Sequence, residues 1–463
     1  MYEFSGLKEF PEIDINLAGT LIRMKNNKIL DLFTVHPEVA DLVSSSGNAG
    51  PDKIQLTGLS GSAKALTVAA AFRKSQNTHL VVLSEKEEAA YFYNDLTGLT
   101  DDESIFFFPS TYKRSVQYEQ TEPANIILRT EVLNHLTSGK RKSIIVSYPE
   151  SLMEKVVSRQ TLKRNTFTIS KGDRISLEFL EEILHEYKFE RVDFVYDPGQ
   201  YSVRGSIADV FSFSADMPYR IDFFGEEVET IRSFNIDDQL SVDIFNHITI
   251  IPNIQDIAID IINNTFLDFI PQSSSIWIED ASFIKDKINN IFSQIDLKNG
   301  PGHIDGKKEI IITGEHFIEQ CGKFRVLEFG NKGLFKFTET YEFHTEPQPS
   351  FNKNFELLSG QLNKNRLSGY TSFIISESQS QIDRLKDIFS EINPDISFSP
   401  LLMNLHEGFT DHDLKISIYT DHQIFDRYHK FRIRGYFSRK ESISVKELTG
   451  LNPGDYVIHI FRI

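Results

Sequence analysis

The sequence predicts an α/β protein in which a parallel sheet flanked by helices is interrupted by a small α+β insert. Short apolar runs alternate with helix-compatible segments up to about residue 158. Beyond residue 160 the pattern changes to short strands of alternating character, punctuated by Pro198-Gly199, Arg204-Gly205 and Gly225-Glu226. After Ile251-Pro252 the first pattern returns. Strands that alternate with helices are typical of parallel sheets, and dense turn signals are typical of hairpins.

The elements of the first stretch follow from the length of the apolar runs. We expect strands at Lys53–Thr57, His79–Ser84, Ser104–Pro109 and Ser143–Ser147, and helices at Ala65–Lys74, Glu85–Leu96 and Glu122–Leu136. Continuous apolar runs of this length are typical of strands buried on both faces. Ser84 and the acidic residues that follow it favour a helix N-terminus at that point.

The later elements are interpreted in the same way. In the insert we expect strands at Phe167–Ser170, Val192–Tyr196, Ala208–Phe213, Tyr219–Phe224 and Val228–Ser233, and a helix at Ser176–Glu186. The returning α/β stretch predicts strands at Ser275–Ile278 and Glu309–Thr313 around a helix at Ser282–Phe292. Beyond a linker at Glu346–Asn354, a third unit has strands at Thr371–Ser376 and Ile416–Thr420 around a helix at Ser378–Phe389. Arg427–Arg439 is basic and helical or linker-like, and Leu451–His459 has the turn and apolar run that could open a β-barrel.

Composition excludes several classes of protein. The 463 residues carry a net charge of -17, so the overall field argues against binding nucleic acid and favours a protein partner. No apolar run reaches the roughly 20 residues of a membrane helix, and the N-terminus does not resemble a secretory signal. The single cysteine, Cys321, excludes an internal disulfide and a cysteine-rich zinc site. We therefore expect a cytoplasmic protein that does not contact a membrane.

The segment Gly58-Leu-Ser-Gly61-Ser-Ala-Lys64-Ala65 follows a strand and opens a helix, where phosphate-binding loops lie. A working loop needs glycine before the lysine, and serine or threonine after it to hold Mg²⁺. Here both positions are alanine. Lys64 remains but the metal ligand is missing, so a decayed loop or a structural turn is favoured, and true nucleotide binding is the alternative.

Glu279 and Asp280 end a predicted buried strand. Acidic residues at that place hold Mg²⁺ and orient water in P-loop ATPases, and they also serve as helix caps and first-turn acids. The pattern alone leaves both interpretations open. The histidines form no HExxH pair or Cys/His cluster and no nucleophile signature occurs, so we expect no metal site and no catalytic residue.

Alternation along Tyr219–Phe224 places Arg220, Asp222 and Phe224 on one face of their strand. An arginine beside an exposed aromatic ring is typical of the centre of a protein interface. The residue types alone favour an ordinary solvated sheet face with Phe224 partly buried, and an interface is the alternative at this point.

The strings Val192-Asp-Phe-Val, Pro198-Gly-Gln-Tyr-Ser-Val-Arg-Gly-Ser-Ile-Ala-Asp-Val-Phe211 and Pro218-Tyr-Arg-Ile-Asp-Phe-Phe-Gly-Glu-Glu-Val-Glu-Thr-Ile-Arg232 resemble one family. They are similar to the domain of bacterial transcription-repair coupling factors that is built like the excinuclease protein UvrB. Weaker similarity extends from Phe108-Pro-Ser-Thr-Tyr112 to Asn452-Pro-Gly-Asp-Tyr-Val-Ile-His459, and so covers nearly the whole chain.

The resemblance implies a split, degenerate helicase-like domain of the P-loop NTPase type with an inserted domain that docks on the excinuclease protein UvrA. It implies that Arg204, Arg220 and Phe224, and more weakly Arg191, contact UvrA. Gly58, Gly61, Lys64, Glu279 and Asp280 would be a remnant nucleotide site without ATP turnover.

The family also implies domain boundaries. The helicase-like domain would occupy 1–158 and 253–346, the insert 159–252, a small α/β domain of unknown role 347–430, and the linker and start of the RNA-polymerase-binding barrel 431–463. The ATP- and Mg²⁺-dependent motor that moves along DNA is not in this sequence, so we expect an N-terminal fragment without cofactors. The resulting hypothesis is recruitment of UvrA to stalled RNA polymerase by mimicry of UvrB. The alternative is an active ATP-dependent DNA-remodelling enzyme of the UvrB type.

Overall fold

The computed structural model describes residues 28–44, 52–100, 104–114, 117–121, 123–139, 142–253, 264–299, 310–392 and 396–427. The helices are α1 28–34, α2 Pro37–Ser44, α3 Ala63–Lys74, α4 Lys86–Leu99, α5 Pro123–Thr137, α6 Pro149–Leu152, α7 Arg159–Arg164, α8 Leu177–Glu186, α9 Phe266–Phe269, α10 Ala281–Asn299, α11 Gly314–Cys321, α12 Phe355–Leu367, α13 Gln379–Ile392 and α14 Asp421–Ile424.

The strands belong to three larger sheets and two short pairs. They are β1 Lys53–Thr57, β2 Thr78–Val82, β3 Ile105–Phe108, β4 Tyr112–Arg114, β5 Gln117–Thr121, β6 Ser143–Ser147, β7 Phe167–Ser170, β8 Glu190–Arg191, β9 Gln200–Arg204, β10 Ile207–Val210, β11 Tyr219–Phe224, β12 Glu227–Phe234, β13 Ser241–Phe245, β14 His247–Ile250, β15 Ser275–Glu279, β16 Arg325–Phe329, β17 Glu339–Glu342, β18 Thr345–Pro347, β19 Thr371–Ser376, β20 Ser399–Leu402, β21 Phe409–Asp411 and β22 Ile416–Thr420.

The largest sheet is parallel throughout, with strand order β17-β1-β16-β15-β2-β6-β3. It takes four strands from before the insert and three from after it. Its interior strands, such as β2 and β6, are buried at every position, as their continuous apolar runs predict. The predicted α/β class with a large parallel sheet is therefore confirmed.

The six-stranded sheet of the insert has the order β13-β12-β11-β10-β9-β8 and is antiparallel except for the β8–β9 pair. One of its faces is apolar and shares a core with Leu180 and Leu184 of α8. The third unit forms a mixed five-stranded sheet with the order β18-β21-β22-β19-β20.

Two apolar cores lie on opposite faces of the parallel sheet. Leu80 and Val82 of β2 join one core, which continues into the insert through residues such as Ile221. Val81, between them, joins the other core, which continues into the five-stranded sheet through Phe373. Alternation along one strand thus connects the parallel sheet to both neighbouring units.

Two predicted strands are wrong. Val192–Tyr196 has no regular structure, because the strand ends at Arg191 and the chain bends at Asp193 and Phe194. In the described part of Glu309–Thr313, only Ile311 forms a bridge, to Glu154, and the next strand of the parallel sheet along the chain after β15 is β16. The segments 428–439 and 451–459, predicted as a linker and the start of a barrel, lie outside the described residues.

Within the described residues, no helix combines the length and the apolar character needed to cross a bilayer.

Candidate functional site

One face of the insert sheet carries a row of side chains that crosses five strands. Each member of the row lies opposite the next one on the neighbouring strand. From β9 to β13 the row is Ser202, Asp209, Arg220, Arg232 and Ile244. Residues that are directly opposite in a sheet share a face. This row, with its neighbours on the same side, is called the open face below.

Asp209 joins two of the predicted contact residues. Its Oδ1 accepts from Arg220 Nε at 2.7 Å, and its Oδ2 accepts from Arg220 Nη2 at 2.9 Å and from Arg204 Nη2 at 2.6 Å. Only 1% of the Asp209 side chain is exposed. A buried carboxylate with both oxygens engaged by guanidinium groups fixes the orientation of both arginines.

Arg220 is held from a second side as well. Its Nη1 donates to the backbone carbonyl of Gln239 at 3.3 Å, and its Nη2 donates to Gln239 Oε1 at 3.2 Å. Its guanidinium carbon lies 4.3 Å from the centre of the Phe234 ring. The hydrogen bond to Asp209 raises the pKa of Arg220 above its ordinary value. The side chain is 16% exposed, so most of this arginine supports the face and a small part reaches solvent.

Among the predicted contact residues on the open face, Arg204 and Phe224 are more exposed than Arg220. The Arg204 side chain is 42% exposed, and its guanidinium lies 4.9 Å from the centre of the half-exposed Phe194 ring. Phe224 is 78% exposed at the end of β11, directly before a turn at Gly225 with φ +63°. A large apolar ring at this exposure has no packing role within the described structure, which favours a contact with a partner.

Asp222 and Arg232 form a second ion pair on the same face. Arg232 Nη2 donates to Asp222 Oδ2 at 2.6 Å, and Thr230 also donates to this oxygen. The pair lies between Arg220 and Phe224 along the sheet. The open face therefore has a preformed polar centre with aromatic rings at its margins.

Arg191 is not on this face. It lies opposite Tyr201 in the β8–β9 pair, and the Tyr201 side chain is buried on the helix-covered side. Its Nη1 lies 3.1 Å from Glu181 Oε1 of α8, and its side chain is 61% exposed. The structure thus brings Arg204, Arg220 and Phe224 together and places Arg191 around the edge of the sheet.

Sequence reasoning missed Asp209 and Gln239, which hold the arginines. Asp209 stands in a strand between apolar residues, and a lone acid at a buried strand position is the signal that could have identified it. Gln239 gives no such signal, because its contact depends on the path of the loop before β13.

The remnant nucleotide loop lies between β1 and α3 at the carboxyl end of the parallel sheet. Lys64 Nζ donates to Glu279 Oε1 at 2.5 Å, which joins the loop to the end of β15. Burial would raise the pKa of Glu279, but Lys64 and the hydrogen bonds to this carboxylate outweigh burial and lower it. Burial and the adjacent Glu279 raise the pKa of Glu88 to about 7.

Asp280 caps a helix. Its Oδ1 accepts from the backbone N–H of Phe283 at 2.9 Å, at the start of α10, and its φ is +44°. Glu328, a fully buried residue of β16 that sequence reasoning missed, accepts from the N–H of Ala281 at 2.9 Å and from that of Leu334. Asp280 and Glu328 are thus both hydrogen-bonded to helix and loop backbone.

Two backbone donors of the remnant loop, the N–H groups of Ser60 and Ser62, are occupied by distant parts of the chain. The N–H of Ser60 donates to Thr345 Oγ1 at 2.7 Å, and the N–H of Ser62 donates to the Glu407 carbonyl at 3.2 Å. The Ser62 hydroxyl donates to Asp95 Oδ2 at 2.6 Å and accepts from the N–H of Glu407 at 2.9 Å. These are the groups that would face phosphate in a working loop.

The backbone of the same distant segments also lies close to the two glycines of the loop, Gly58 and Gly61. A methyl group added at Gly58 would lie 1.8 Å from the carbonyl oxygen of Phe343, and one added at Gly61 would lie 2.9 Å from that of Gly408. Both glycines have positive φ, at +73° and +53°. The segments 343–345 and 406–408 together are called the plug below.

One other group of described residues has the composition of a cation site: His36, Asp411 and Asp413. His36 Nε2 lies 3.6 Å from Asp411 Oδ2 and 3.7 Å from Asp413 Oδ2. The N–H of Glu38 donates to His36 Nδ1 at 3.2 Å, so the neutral ring carries its proton on Nε2. A metal would need the lone pair of Nε2, so this ring orientation favours a proton directed at the carboxylates.

Comparison with known proteins gives a consistent result. A family model described as the UvrB interaction domain matches residues 167–255, which contain the whole open face. The transcription-repair-coupling factor of Bacillus subtilis (strain 168) is 32% identical over 197 residues, which are 42% of this chain and 17% of that protein. Those of Staphylococcus epidermidis (strain ATCC 35984) and Staphylococcus aureus (strain bovine RF122) are each 20% identical, over 89% and 96% of this chain.

The chain spans 41% and 43% of the length of the two staphylococcal relatives, less than half of either protein. With the matched domain and these relatives together, the chain is similar to the N-terminal portion of the transcription-repair-coupling factors.

Proposed function

We propose that this chain acts in transcription-coupled nucleotide excision repair by recruiting the excinuclease protein UvrA to RNA polymerase stalled at DNA lesions. The match to the UvrB interaction domain supports a role in repair and a surface like that of UvrB. The relatives' shared name, transcription-repair-coupling factor, supports the connection to transcription.

The observation that carries the proposal is the pair of arginines fixed by one buried carboxylate. Asp209 holds Arg204 and Arg220 in a set geometry before any partner arrives. Fixing rotamers in advance lowers the entropy lost on binding. Arg204 and Phe224 offer the exposed charge and the exposed ring of this surface, and Arg220 orients the centre. We propose that these three residues contact UvrA, and that Arg191 contributes from the sheet edge.

The proposal includes the absence of ATP turnover. The loop lacks the glycine before Lys64 and the hydroxyl residue after it. Its Ser60 and Ser62 N–H groups are engaged by the plug. Lys64, which would meet the phosphates, pairs with Glu279 instead.

The second candidate function is an ATP-dependent DNA-remodelling enzyme of the UvrB type. It is favoured by one observation, the survival of a lysine and a strand-end carboxylate in contact. A phosphate-release assay with ATP and Mg²⁺ separates the two. Release that disappears in Lys64→Ala would support the enzyme, and release at the level of the buffer alone would support recruitment.

The remaining parts of the proposal concern arrangement and the longer relatives. We propose a split helicase-like domain at 1–158 and 253–346 around the insert at 159–252, a small domain at 347–430, and the beginning of a polymerase-binding barrel at 431–463. Polymerase binding, and an ATP- and Mg²⁺-driven motor on DNA, would belong to the longer protein. A cytoplasmic location would accompany this function.

The test is calorimetric titration of the chain with purified UvrA. Replacement of a central interface arginine costs about 2 kcal/mol or more in binding, and we expect this for Arg220→Ala. Arg204→Ala, whose side chain is more exposed, should weaken binding with less effect on the fold. Arg191→Ala, at the sheet edge, should have a smaller effect, and Arg366→Ala, at an exposed position of α12 outside the insert, is the matched control. Equal affinity for Arg204→Ala, Arg220→Ala and the unsubstituted chain would overturn the assignment of this face.

A further inference from the structure

The edge strand of the insert sheet exposes apolar side chains. β13 lies at the end of the six-stranded order and pairs only with β12 among the described strands. Val242 is 51% exposed, Ile244 is 81% exposed, and Leu240, directly before the strand, is 66% exposed. These three residues are called the edge strip below. No sequence motif drew attention to them, because the strand is short and its apolar residues are separated by Ser241 and Asp243.

Ile244, the most exposed residue of the edge strip, faces the same side as the candidate docking residues. Ile244 lies directly opposite Arg232, which lies directly opposite Arg220, so all three share the open face. The pairing of β13 with β12 shifts register between Arg232 and Phe234, so Ile244 is the strip residue that register places on the open face. Phe245, on the other side, packs edge-on against Tyr219, with ring centres 5.5 Å apart.

The aliphatic exposure of this edge strand is its unusual feature. Natural edge strands are protected by charged residues, bulges and short length. β13 has one charged residue, Asp243, which is exposed, beside two aliphatic side chains that are each more than half exposed. An exposed aliphatic strip in a defined strand therefore points to a surface that is covered by a partner.

The strip is continuous with the polar centre of the open face. Gln239, which binds Arg220 through its side chain and its carbonyl, directly precedes Leu240. The strand is held in place by the hydrogen bond from the N–H of Asp243 to Ser233 Oγ, at 3.1 Å. Two strand spacings of roughly 4.8 Å separate Ile244 from Arg220, well within one standard interface.

We infer that Leu240, Val242 and Ile244 form the apolar half of the surface that docks on UvrA, next to the arginine centre. This inference rests on the proposed function. It assigns to the partner an aliphatic or aromatic patch that lies beside the group that meets Arg204. The apolar strip would supply binding energy by desolvation, whereas the fixed arginines set the register of the two proteins.

The experiment is titration of the full chain with purified UvrA, using Ile244→Ser and the double variant V242S/I244S. The control is Leu367→Ser, which removes a leucine of similar exposure, 74%, from α12 in another unit. We expect a loss of affinity of about tenfold for Ile244→Ser and more for the double variant, with less than twofold for the control, as for a central apolar contact. Circular dichroism and the thermal midpoint verify that each variant is folded.

The outcomes separate this inference from the proposed function. If Arg204→Ala abolishes binding and V242S/I244S binds like the unsubstituted chain, the strip is not part of the interface and the proposed function stands. If the unsubstituted chain does not bind UvrA, both are overturned. If the substitutions abolish self-association in sedimentation and leave the affinity for UvrA unchanged, the strip pairs with a second copy and the inference is wrong.

Discussion

Asp209 and Arg220 form a bidentate ion pair in which the acid is 1% exposed and the arginine 16% exposed. The same carboxylate binds Arg204, so one buried group determines where two cations of the open face are presented. A surface that looks like a set of separate exposed residues in the sequence is therefore a single network, and substitutions in it report on fold and binding together.

Substituting Asp209→Asn should disturb both arginines without removing either. The amide cannot balance two guanidinium groups, and breaking a buried ion pair from one side costs about 3 kcal/mol. We expect a lower urea midpoint and weaker binding to UvrA. Asp237→Asn, at an exposed position in the same unit, is the control and should leave both unchanged. If Asp209→Asn were as stable as the unsubstituted chain, the proposed role of Asp209 in holding Arg204 and Arg220 would be contradicted.

Phe224→Ala should weaken binding while leaving the stability of the fold nearly unchanged. The ring is 78% exposed and contributes little to the core, so stability should stay within about 0.5 kcal/mol of the unsubstituted chain. Loss of an aromatic anchor should weaken binding to UvrA by about 2 kcal/mol. Calorimetric titration and urea unfolding measure the two quantities. A variant with normal affinity would remove Phe224 from the docking face.

Asp95 should make stability depend on pH. Burial raises its pKa from 3.8 to about 7, so between these values the folded state binds a proton that the unfolded state does not. The free energy of unfolding should therefore fall as pH rises from 3.8 to about 7. Asp95→Asn should remove this contribution, and its urea midpoint should change less across the same pH range. A pH profile identical to that of the unsubstituted chain would contradict the prediction.

Gly58→Ala should test the plug. The added methyl group would overlap the Phe343 carbonyl, and the position has φ +73°, so we expect destabilisation of about 2 kcal/mol or more. Gly172→Ala is the matched control, because it has φ +87° and no neighbour within 4 Å of the added carbon. The difference between the two midpoints isolates the plug from backbone strain. Equal unfolding midpoints for the two variants would mean that segment 343–345 shifts to accommodate a methyl group at position 58.

The regular parts of this fold could be predicted because their signals are local. The buried runs of β2, β3 and β6 and the alternation of β11 follow from neighbouring residues in the sequence. Strand β16 was missed because Glu328 interrupts its apolar run, although its backbone-bonded carboxylate is fully buried. The strand predicted at Val192–Tyr196 was wrong because alternation continues into a segment where the chain bends.

The candidate site was predictable only as far as one strand could show. Alternation placed Arg220, Asp222 and Phe224 on one side, which agrees with their part-buried or exposed side chains. The ion pairs of Asp209 with Arg204 and Arg220, and the contact of Arg220 with Gln239, depend on how the strands pair. The plug depends on long-range contacts. Ser60 and Thr345 are 285 positions apart in the sequence, and Ser62 and Glu407 are 345 positions apart. No local pattern encodes such contacts.

The strand order of the parallel sheet has a consequence for how the chain folds as it is synthesised. β1 lies between β16 and β17, so this strand has no neighbour in the sheet until the ribosome has passed residue 329, and no second neighbour until residue 342. The six-stranded sheet, in contrast, is built entirely from residues 190–245 and consists mainly of local hairpins. Local pairings form faster than distant ones, so the insert can complete its open face while the surrounding sheet still waits for its last strands.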